Sequence, residues 1–265
     1  MATAAQEEAA YRLWAAAQWR TPCPPVRDLI AVDDVEAAYA VASVNIALRL
    51  EHGATRVGRK IGLTSTAVRK QLGVSAPDFG VLLDDMVVQA GGTVPAGALL
   101  QPKVEAEVAF LLAEDLDGAL NDVAEVRAAV SGAMAAIEIV DSRIADWDIS
   151  YADTVADNAS SGLYVVSDVV VPLTEVEPVE VVMSMTVNGE KVSEGQGSAC
   201  LGDPLLALLW LARTVRDLGD PLRAGEVVLS GALGPMSVAR PGDVVEADIS
   251  GLGQISVTFA KEKTA

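Results

Sequence analysis

Two glutamates, Glu105 and Glu107, stand two residues apart in the segment KVEAEVAF. The valines and alanines around them are typical of a β-strand, in which residues i and i+2 point to the same face. The two carboxylates are therefore expected side by side, where their repulsion is costly unless a cation lies between them. The solvent-facing side of an edge strand would explain the same pattern, so the pair alone leaves both interpretations open.

Glu138 favours the cation-binding interpretation, because it lies in the short apolar run AAIEIVD. A carboxylate that is buried without a partner costs several kcal/mol. Three carboxylates without a histidine or a thiolate indicate a hard cation with oxygen ligands, and Mg²⁺ or Mn²⁺ fits this set best. The sequence therefore predicts a metal site made of Glu105, Glu107 and Glu138. The alternative for Glu138 is an ion pair with a nearby arginine such as Arg143.

Further polar residues lie where they could act together with such a site. Lys60 has apolar neighbours in RKIGL, Asp78 lies in the loop sequence APDFG, and Asn158 and Ser160 belong to the polar cluster VADNASS. A partly buried lysine can hold a substrate carboxylate or move a proton, and polar groups on loops often do chemistry. The alternatives are a surface lysine, a turn aspartate and helix-capping side chains.

The glycine-rich segment LSGALGPM (229–236) follows a strand pattern. It lacks the lysine of a phosphate-binding loop and the glycine spacing of a dinucleotide fingerprint. Close approach of the backbone to a small ligand is the functional interpretation, and a plain turn is the alternative.

Charge and composition exclude several classes of function. With 19 basic and 37 acidic residues the net charge is −18, so we expect no nucleic-acid partner. The single histidine, His52, lies at the predicted end of a helix, which nearly excludes a Ser-His-Asp triad or a multi-histidine zinc site. Cys23 and Cys200 are expected to be free thiols. Since we find neither a signal sequence nor a long apolar run, we expect a cytoplasmic protein without a membrane partner.

The predicted elements place these residues in an α+β fold. Helical patterns cover residues 3–18, 33–52, 65–73, 121–132 and 202–219. Strand patterns occur in RVGRKIGLT, VEAEVAFLL and AMAAIEIVDSRI, and they dominate the chain from residue 161 onwards. We therefore predict a mainly helical N-terminal region over residues 1–75, followed over residues 76–265 by a mixed, strongly curved sheet system that carries the site.

Six segments, in this order, resemble the bacterial 2-keto-4-pentenoate hydratases, which belong with the 4-oxalocrotonate decarboxylases in the fumarylacetoacetate hydrolase superfamily. The segments are GRKIGLT (58–64), QLGVSAPDFG (71–80), QPKVEAEVAFLL (101–112), AIEIVDSRIADW (136–147), DTVADNASSG (153–162) and LSGALGPM (229–236). The resemblance extends over almost the whole chain, from about Val26 to Phe259.

This resemblance implies a β-roll core of the fumarylacetoacetase C-terminal type behind a small helical region. It implies Mg²⁺ or Mn²⁺ held by Glu105, Glu107 and Glu138. It also implies catalysis by Lys60, Asp78 and Ser160, and substrate contacts from Lys60, Leu83, Asn158, Gly231, Ala232 and Leu233. Because the family forms homo-oligomers, it further implies a pentamer or decamer, with the product passing to a downstream aldolase.

The reaction implied is addition of water to 2-hydroxypenta-2,4-dienoate, giving 4-hydroxy-2-oxopentanoate in the meta-cleavage degradation of aromatic compounds. The metal would bind the C1 carboxylate and the C2 oxygen, and water would add at C4 after protonation at C5. Two alternatives stay open: decarboxylation of 2-oxo-3-hexenedioate at the same metal site, and a non-catalytic acidic metal-binding or scaffold protein. Carbon–carbon hydrolysis is a minor alternative, because the hydrolases of the superfamily use a His–Glu pair and His52 stands alone.

Overall fold

The computed structural model describes residues 2–65, 69 and 76–262. Within these ranges the chain forms two β-sheets and five α-helices, besides short 3-10 turns. The helices are α1 (Ala4–Trp19), α2 (Val35–Glu51), α3 (Val123–Ala128), α4 (Tyr151–Ala156) and α5 (Pro204–Asp217). The helix predicted over residues 65–73 lies largely outside the described residues.

The strands of the described chain are short, apart from one long central pair. They are β1 (Arg56–Gly62), β2 (Asp78–Leu83), β3 (Val87–Val88), β4 (Thr93–Val94), β5 (Lys103–Leu112), β6 (Val130–Val140), β7 (Ser161–Val166), β8 (Val182–Val187), β9 (Glu190–Gln196), β10 (Val227–Ala232), β11 (Ser237–Val238), β12 (Val244–Ile249) and β13 (Gly253–Phe259). Together with the helices they confirm the predicted α+β class.

The larger sheet has the strand order β2-β1-β10-β5-β6-β7-β3, and β11 also pairs with β5. Its centre is the antiparallel pair β5 and β6, which runs in register from Lys103 opposite Val140 to Leu111 opposite Gly132, before a shift that places Leu112 opposite Val130. Parallel contacts of β1 with β10 and of β3 with β7 make the sheet mixed. The register of the central pair places Glu105 directly opposite Glu138.

The smaller sheet, β4-β13-β12-β8-β9, covers one face of the larger one. Val104, Ala106, Val108 and Phe110 belong to the main core together with the methionines and valines of the smaller sheet. Because side chains alternate across a strand, the odd-numbered residues of β5 point to the opposite face. The alternation therefore turns Glu105 and Glu107 away from the main core.

The helices α1, α2 and α4 pack around a second, separate hydrophobic cluster. Thr3 begins α1 with a reciprocal capping box to Gln6, and the Asp34 carboxylate caps α2. His52 ends α2, and its ring Nδ1 lies 2.7 Å from the Leu48 carbonyl oxygen. These ends confirm the two predicted N-terminal helices and the structural role of the histidine.

Strand β1 and helix α3 lie at boundaries that were predicted from the sequence. The strand β1, which precedes residue 75, pairs with β2 and β10 and so contributes to the larger sheet. The division of the chain at residue 75 stays a prediction. The helix predicted over residues 121–132 ends at Ala128, because Val130 already pairs with Leu112 on β5.

The segment Gly197–Asp217 is long and apolar enough to cross a membrane, with 21 residues and a mean hydropathy of 1.2. It contains α5, whose start at the Asp203 cap agrees with the prediction. Leu205, Leu208 and Leu211 on this helix are buried in the main core. The apolar face of α5 is thus covered by the rest of the chain, as in the core helix of a globular domain.

Candidate metal centre

The carboxylates of Glu105, Glu107 and Glu138 converge on the face of the larger sheet that points away from the main core. One oxygen from each lies within 4.8 Å of the others. Glu107 and Glu138 are fully buried, and Glu105 is half-buried. The structure thus brings together the three residues that the sequence predicts as metal ligands.

Lys60 projects from β1 into the same group of carboxylates. Its Nζ lies 3.0 Å from Oε1 of Glu138, and both side chains are almost completely buried. Burial lowers the pKa of Lys60, because it disfavours the charged ammonium group. The nearby carboxylates of Glu138, Asp78 and Glu105 have a larger effect in the opposite direction, so the pKa of Lys60 is raised overall. Lys60 is therefore a cation at neutral pH, which suits it to hold an anion and not to act as a base.

The carboxylates carry more negative charge than Lys60 can compensate. Burial and the neighbouring glutamates raise the pKa of Glu105 to about 7 and that of Glu107 well above its ordinary value. Oε1 of Glu107 and both oxygens of Glu138 are buried without a hydrogen-bond partner, although Glu138 has its ion pair. Uncompensated buried acceptors of this kind are rare. The donor set therefore fits a hard divalent cation with oxygen ligands, such as Mg²⁺ or Mn²⁺.

Asp78 begins β2 and pairs with Gly62 on β1, two residues beyond Lys60. It is buried, and its Oδ1 has no hydrogen-bond partner. Burial raises the pKa of Asp78 to about 6, although the charge of Lys60 lowers it in part. A Cβ atom at Gly62 would collide with this Oδ1, so only glycine leaves room for the carboxylate. Asp78 is thus mostly ionised at neutral pH, and its charge interacts with that of Lys60.

Two tyrosines from the helical region hold the chain on both sides of Asp78. The hydroxyl of Tyr39 on α2 accepts a hydrogen bond from the Phe79 amide at 3.2 Å, and its ring stacks on Phe79. The hydroxyl of Tyr151 on α4 donates to the Pro77 carbonyl at 2.9 Å. Sequence analysis missed both tyrosines, because no local pattern links residues 39 and 151 to residue 78.

Ser160 and Asn158 lie in a backbone turn of unusual conformation. Asn158, Ala159 and Ser160 all have φ between 52° and 54°, the left-handed region that costs about 1 to 2 kcal/mol for each non-glycine residue. The Ser160 hydroxyl is buried and shares a hydrogen bond of 3.0 Å with Thr154. The Asn158 amide forms two hydrogen bonds with the backbone of Val81, so both of its polar ends serve to hold β2.

Arg143 keeps this turn in place and does not pair with Glu138. Its guanidinium donates to the side chain and the carbonyl of Asp157 at 2.5 and 2.7 Å, and to the Ser161 carbonyl at 2.8 Å. The alternative partner that the sequence suggested for Glu138 is therefore wrong, since Lys60 takes that position.

The end of β10, where the glycine-rich segment begins, reaches the site through its backbone. The Gly231 amide donates to Oε2 of Glu107 at 2.8 Å, and Ala232 lies opposite Glu107 in the strand register. Gly231 has a φ of +111°, and a Cβ atom there would collide with Thr64. These two positions lie at the carboxylate cluster.

Two other expected substrate contacts lie away from the carboxylate oxygens. Leu233 is buried in the main core, on the opposite side of the sheet. Leu83, at the far end of β2 from Asp78, is buried in an apolar cluster with Ala109, Met134 and Ala136. Because Ala136 pairs with Glu107, this cluster continues the face that carries the carboxylates.

The raised pKa values predict how the stability of the metal-free protein depends on pH. In the folded chain, the pKa of Glu105 is about 7 and those of Asp78 and Asp157 are about 6, above their ordinary values. Between the unfolded and folded pKa values the folded state therefore binds more protons than the unfolded state, so its stability rises as the pH falls. We expect the free energy of unfolding to be a few kcal/mol larger at about pH 5.5 than at about pH 8.

Urea unfolding after treatment with a chelator measures this difference. Saturating Mg²⁺ should reverse the trend, because deprotonated carboxylates bind the ion more tightly. A metal-free protein that loses stability over the same fall in pH would show that these carboxylates are not held together in the folded state.

The chain is similar to known proteins in both sequence and fold. Residues 51–260 match the family model described as fumarylacetoacetate (FAA) hydrolase C-terminal. The chain is 50% identical to 2-keto-4-pentenoate hydratase of Paraburkholderia xenovorans (strain LB400) over 254 residues, covering 96% of this chain and 94% of the relative. It is 39% identical to 2-hydroxyhexa-2,4-dienoate hydratase of Comamonas testosteroni over 252 residues, with coverage of 94% and 96%.

A solved structure of similar shape is 4-oxalocrotonate decarboxylase from Pseudomonas putida G7, complexed with magnesium and adipate. It superposes with a TM-score of 0.89 at 30% sequence identity, covering 98% of this chain and all of that one. The expected β-roll of the fumarylacetoacetase C-terminal type is thereby confirmed.

Proposed function

The chain belongs to the fumarylacetoacetate hydrolase family, and we propose that it is a metal-dependent hydro-lyase of the 2-keto-4-pentenoate hydratase type. Its reaction is the addition of water to 2-hydroxypenta-2,4-dienoate, which gives 4-hydroxy-2-oxopentanoate in the meta-cleavage degradation of aromatic compounds. The observation that carries this proposal is the convergence of three glutamates, with Lys60 3.0 Å from one of them, on a buried sheet face.

Glu105, Glu107 and Glu138 would hold Mg²⁺ or Mn²⁺ at this site. When bound, the ion supplies a Lewis acid for the C1 carboxylate and the C2 oxygen of the substrate. The Gly231 amide fixes one oxygen of Glu107, so the carboxylate keeps its orientation without a side-chain partner. Strands β5 and β6 therefore position the three ligands, and Gly231 at the end of β10 orients one of them.

Lys60 binds and orients the substrate in this proposal. Its pKa is raised, so its ammonium group stays charged and can donate to the substrate carboxylate or to the oxygen at C2. Negative charge that develops at C2 during the reaction is stabilised by a cation that is already in place.

Asp78 is the proposed proton carrier. With a pKa of about 6 it is mostly ionised at neutral pH, yet it takes up a proton more readily than an ordinary aspartate. It can accept the proton of the C2 hydroxyl or of the attacking water, and it can return one to carbon. Ser160, held by Thr154 and by the left-handed turn, is the proposed helper that orients water.

A spectrophotometric assay tests the proposed reaction. With Mg²⁺ and freshly generated 2-hydroxypenta-2,4-dienoate, we expect the dienol absorbance to decay without release of CO₂. Release of CO₂ from 2-oxo-3-hexenedioate, with no hydration of the dienoate, would favour the decarboxylase. Failure to turn over either compound would favour a metal-binding protein without catalysis.

Gly62→Ala tests the position of Asp78. The added methyl group must displace the Asp78 carboxylate, because its Cβ would collide with Oδ1. A misplacement of about 1 Å at a reacting group can cost about 100-fold in rate, so we expect kcat to fall about 10- to 100-fold. Urea unfolding should show a folded protein, since the backbone at residue 62 accepts alanine. Gly118→Ala is the matched control, because nothing lies within 4 Å of its Cβ; equal activity of both variants would remove Asp78 from the mechanism.

We further propose that the protein works in the cytoplasm as a homo-oligomer, a pentamer or decamer, as the family resemblance implies. The exposed aromatic side chains of Tyr11 and Trp19 on α1 support a contact between copies. The product of the proposed reaction is a β-hydroxy ketone, which is the class of compound that an aldolase cleaves. This chemistry supports transfer of the product to a downstream aldolase.

A further inference from the structure

A cavity opens at the beginning of β5, the strand that carries Glu105 and Glu107. This rim cavity has a volume of about 380 Å³ and is lined by Lys103, Trp147 and Arg240, and by apolar side chains that include Val94, Leu99 and Phe259. None of the three glutamates of the metal centre lines it. Its volume lies in the range of small-molecule sites, which is about 300 to 1,000 Å³.

The rim cavity holds two cations, Lys103 and Arg240, and neither forms an ion pair among the described residues. Glu105, two residues along β5, attracts the Lys103 ammonium group only at longer range. Elsewhere in the chain Arg143, Arg223 and Lys191 each pair with a carboxylate. The one acidic residue in the lining is Glu262. In a chain of net charge −18, two such cations in one apolar cavity indicate a site for an anion.

Trp147 contacts Lys103 and lies in a strained stretch of backbone. The ammonium group lies 4.1 Å from the centre of the indole ring, and Trp147 and its neighbour Asp146 both have positive φ, of 55° and 59°. Such conformations cost about 1 to 3 kcal/mol each and persist where the surroundings determine them. The surroundings of Trp147 therefore hold its aromatic face in the wall of the cavity.

Gln101 supplies those surroundings. Its side-chain amide donates to the carbonyls of Ser142 and Ile144 at 2.9 and 2.8 Å, and its carbonyl oxygen accepts from the Asp146 amide at 2.8 Å. Its backbone carbonyl accepts from the Trp147 indole at 3.1 Å. The aromatic wall and the start of β5 are thus one connected unit.

We propose that the rim cavity is a second binding site, separate from the metal centre, for a small unsaturated carboxylate. Lys103 and Arg240 pair with the carboxylate group, since a guanidinium can bind it through two hydrogen bonds. The flat hydrocarbon chain packs against Trp147 and the apolar wall. Lys103 shares its strand face with Glu105 and Glu107. None of the three glutamates lines the cavity, so the occupant would not need to contact the metal ligands.

The probe for this site is 2,4-hexadienoate, which is flat and anionic but has no oxygen at C2 with which to chelate a metal. Titrated into the Mg²⁺-loaded protein, it should quench tryptophan fluorescence with saturation. Trp147→Phe should lose that signal, and Lys103→Gln and Arg240→Gln should each weaken binding about 10-fold or more, the loss of one charge-assisted contact. Arg223→Gln, which removes an exposed arginine elsewhere, should bind like the unaltered protein.

Two further titrations separate the rim cavity from the metal centre and from the proposed reaction. Binding should persist in Glu107→Gln and in the presence of excess oxalate, which occupies a metal-bound 2-oxo acid site. Binding that oxalate or Glu107→Gln abolishes would place the probe at the metal centre and overturn the proposal. So would unchanged affinity in Arg240→Gln, whose exposed side chain is not needed for folding, or the absence of saturation.

Discussion

Replacing Glu107 with Gln is expected to abolish high-affinity metal binding and to lower turnover at least about 1,000-fold. The glutamine removes one of three anionic ligands at a site where one Glu107 oxygen has no other partner. The fold should survive, because burial and the neighbouring glutamates already raise the pKa of Glu107 well above its ordinary value. Removing a charge that the metal-free fold disfavours should leave its stability unchanged or increase it.

Calorimetric titration with Mn²⁺, the dienoate assay and urea unfolding together measure these three effects. Glu246→Gln is the matched control, since Glu246 is an exposed glutamate on β12. Retained metal affinity and activity in Glu107→Gln would contradict the carboxylate site. A fall in activity that merely follows a fall in stability would assign Glu107 to folding.

Replacing Lys60 with Gln should lower kcat/KM about 1,000-fold and destabilise the metal-free protein by about 3 kcal/mol near pH 8. The substitution leaves Glu138 and Asp78 buried without their cation. The loss of stability should be smaller near pH 5.5, because carboxylates deprived of the cation take up protons more readily. Saturating Mg²⁺ should also reduce it, because the ion neutralises the same glutamates.

Lys191→Gln is the control for this variant. Lys191 also pairs with a glutamate, at 2.5 Å from Glu194, but both side chains are exposed and such pairs contribute little. Its stability and activity should match those of the unaltered protein. If Lys60→Gln behaves like Lys191→Gln in the dienoate assay and in urea, then Lys60 neither holds the substrate nor balances the carboxylates.

The carboxylate cluster could be predicted from the sequence because two short-range rules determine it. Strand alternation puts Glu105 and Glu107 on one face of the sheet. The apolar run around Glu138 indicates that its carboxylate is buried, and a buried carboxylate needs a partner. The register of β5 and β6, which sets Glu105 opposite Glu138, is fixed by pairing over ten residues and not by any one segment. The resemblance to a known family implies the same three ligands as the spacing and burial of these glutamates.

Other features of the site depend on contacts between distant parts of the chain. The pairing of Lys60 with Glu138, and of Arg143 with Asp157, joins residues whose separation in sequence gives no indication of contact. The left-handed turn at residues 158–160 runs against the preferences of Ala159 and Ser160, so propensity predicts a cap or a loop instead. Tyr39, 39 residues before Asp78, acts on it only through tertiary packing of α2.

The central claim is that the carboxylates of residues 105, 107 and 138 share one divalent ion. A crystal of the protein soaked in Mn²⁺ tests it, because manganese gives an anomalous signal that locates the ion without reference to any assumed chemistry. We expect one strong peak at about 2.1 to 2.3 Å from an oxygen of each side chain. A peak bound elsewhere, or an empty cluster with Lys60 still paired to Glu138 at saturating Mn²⁺, would contradict it.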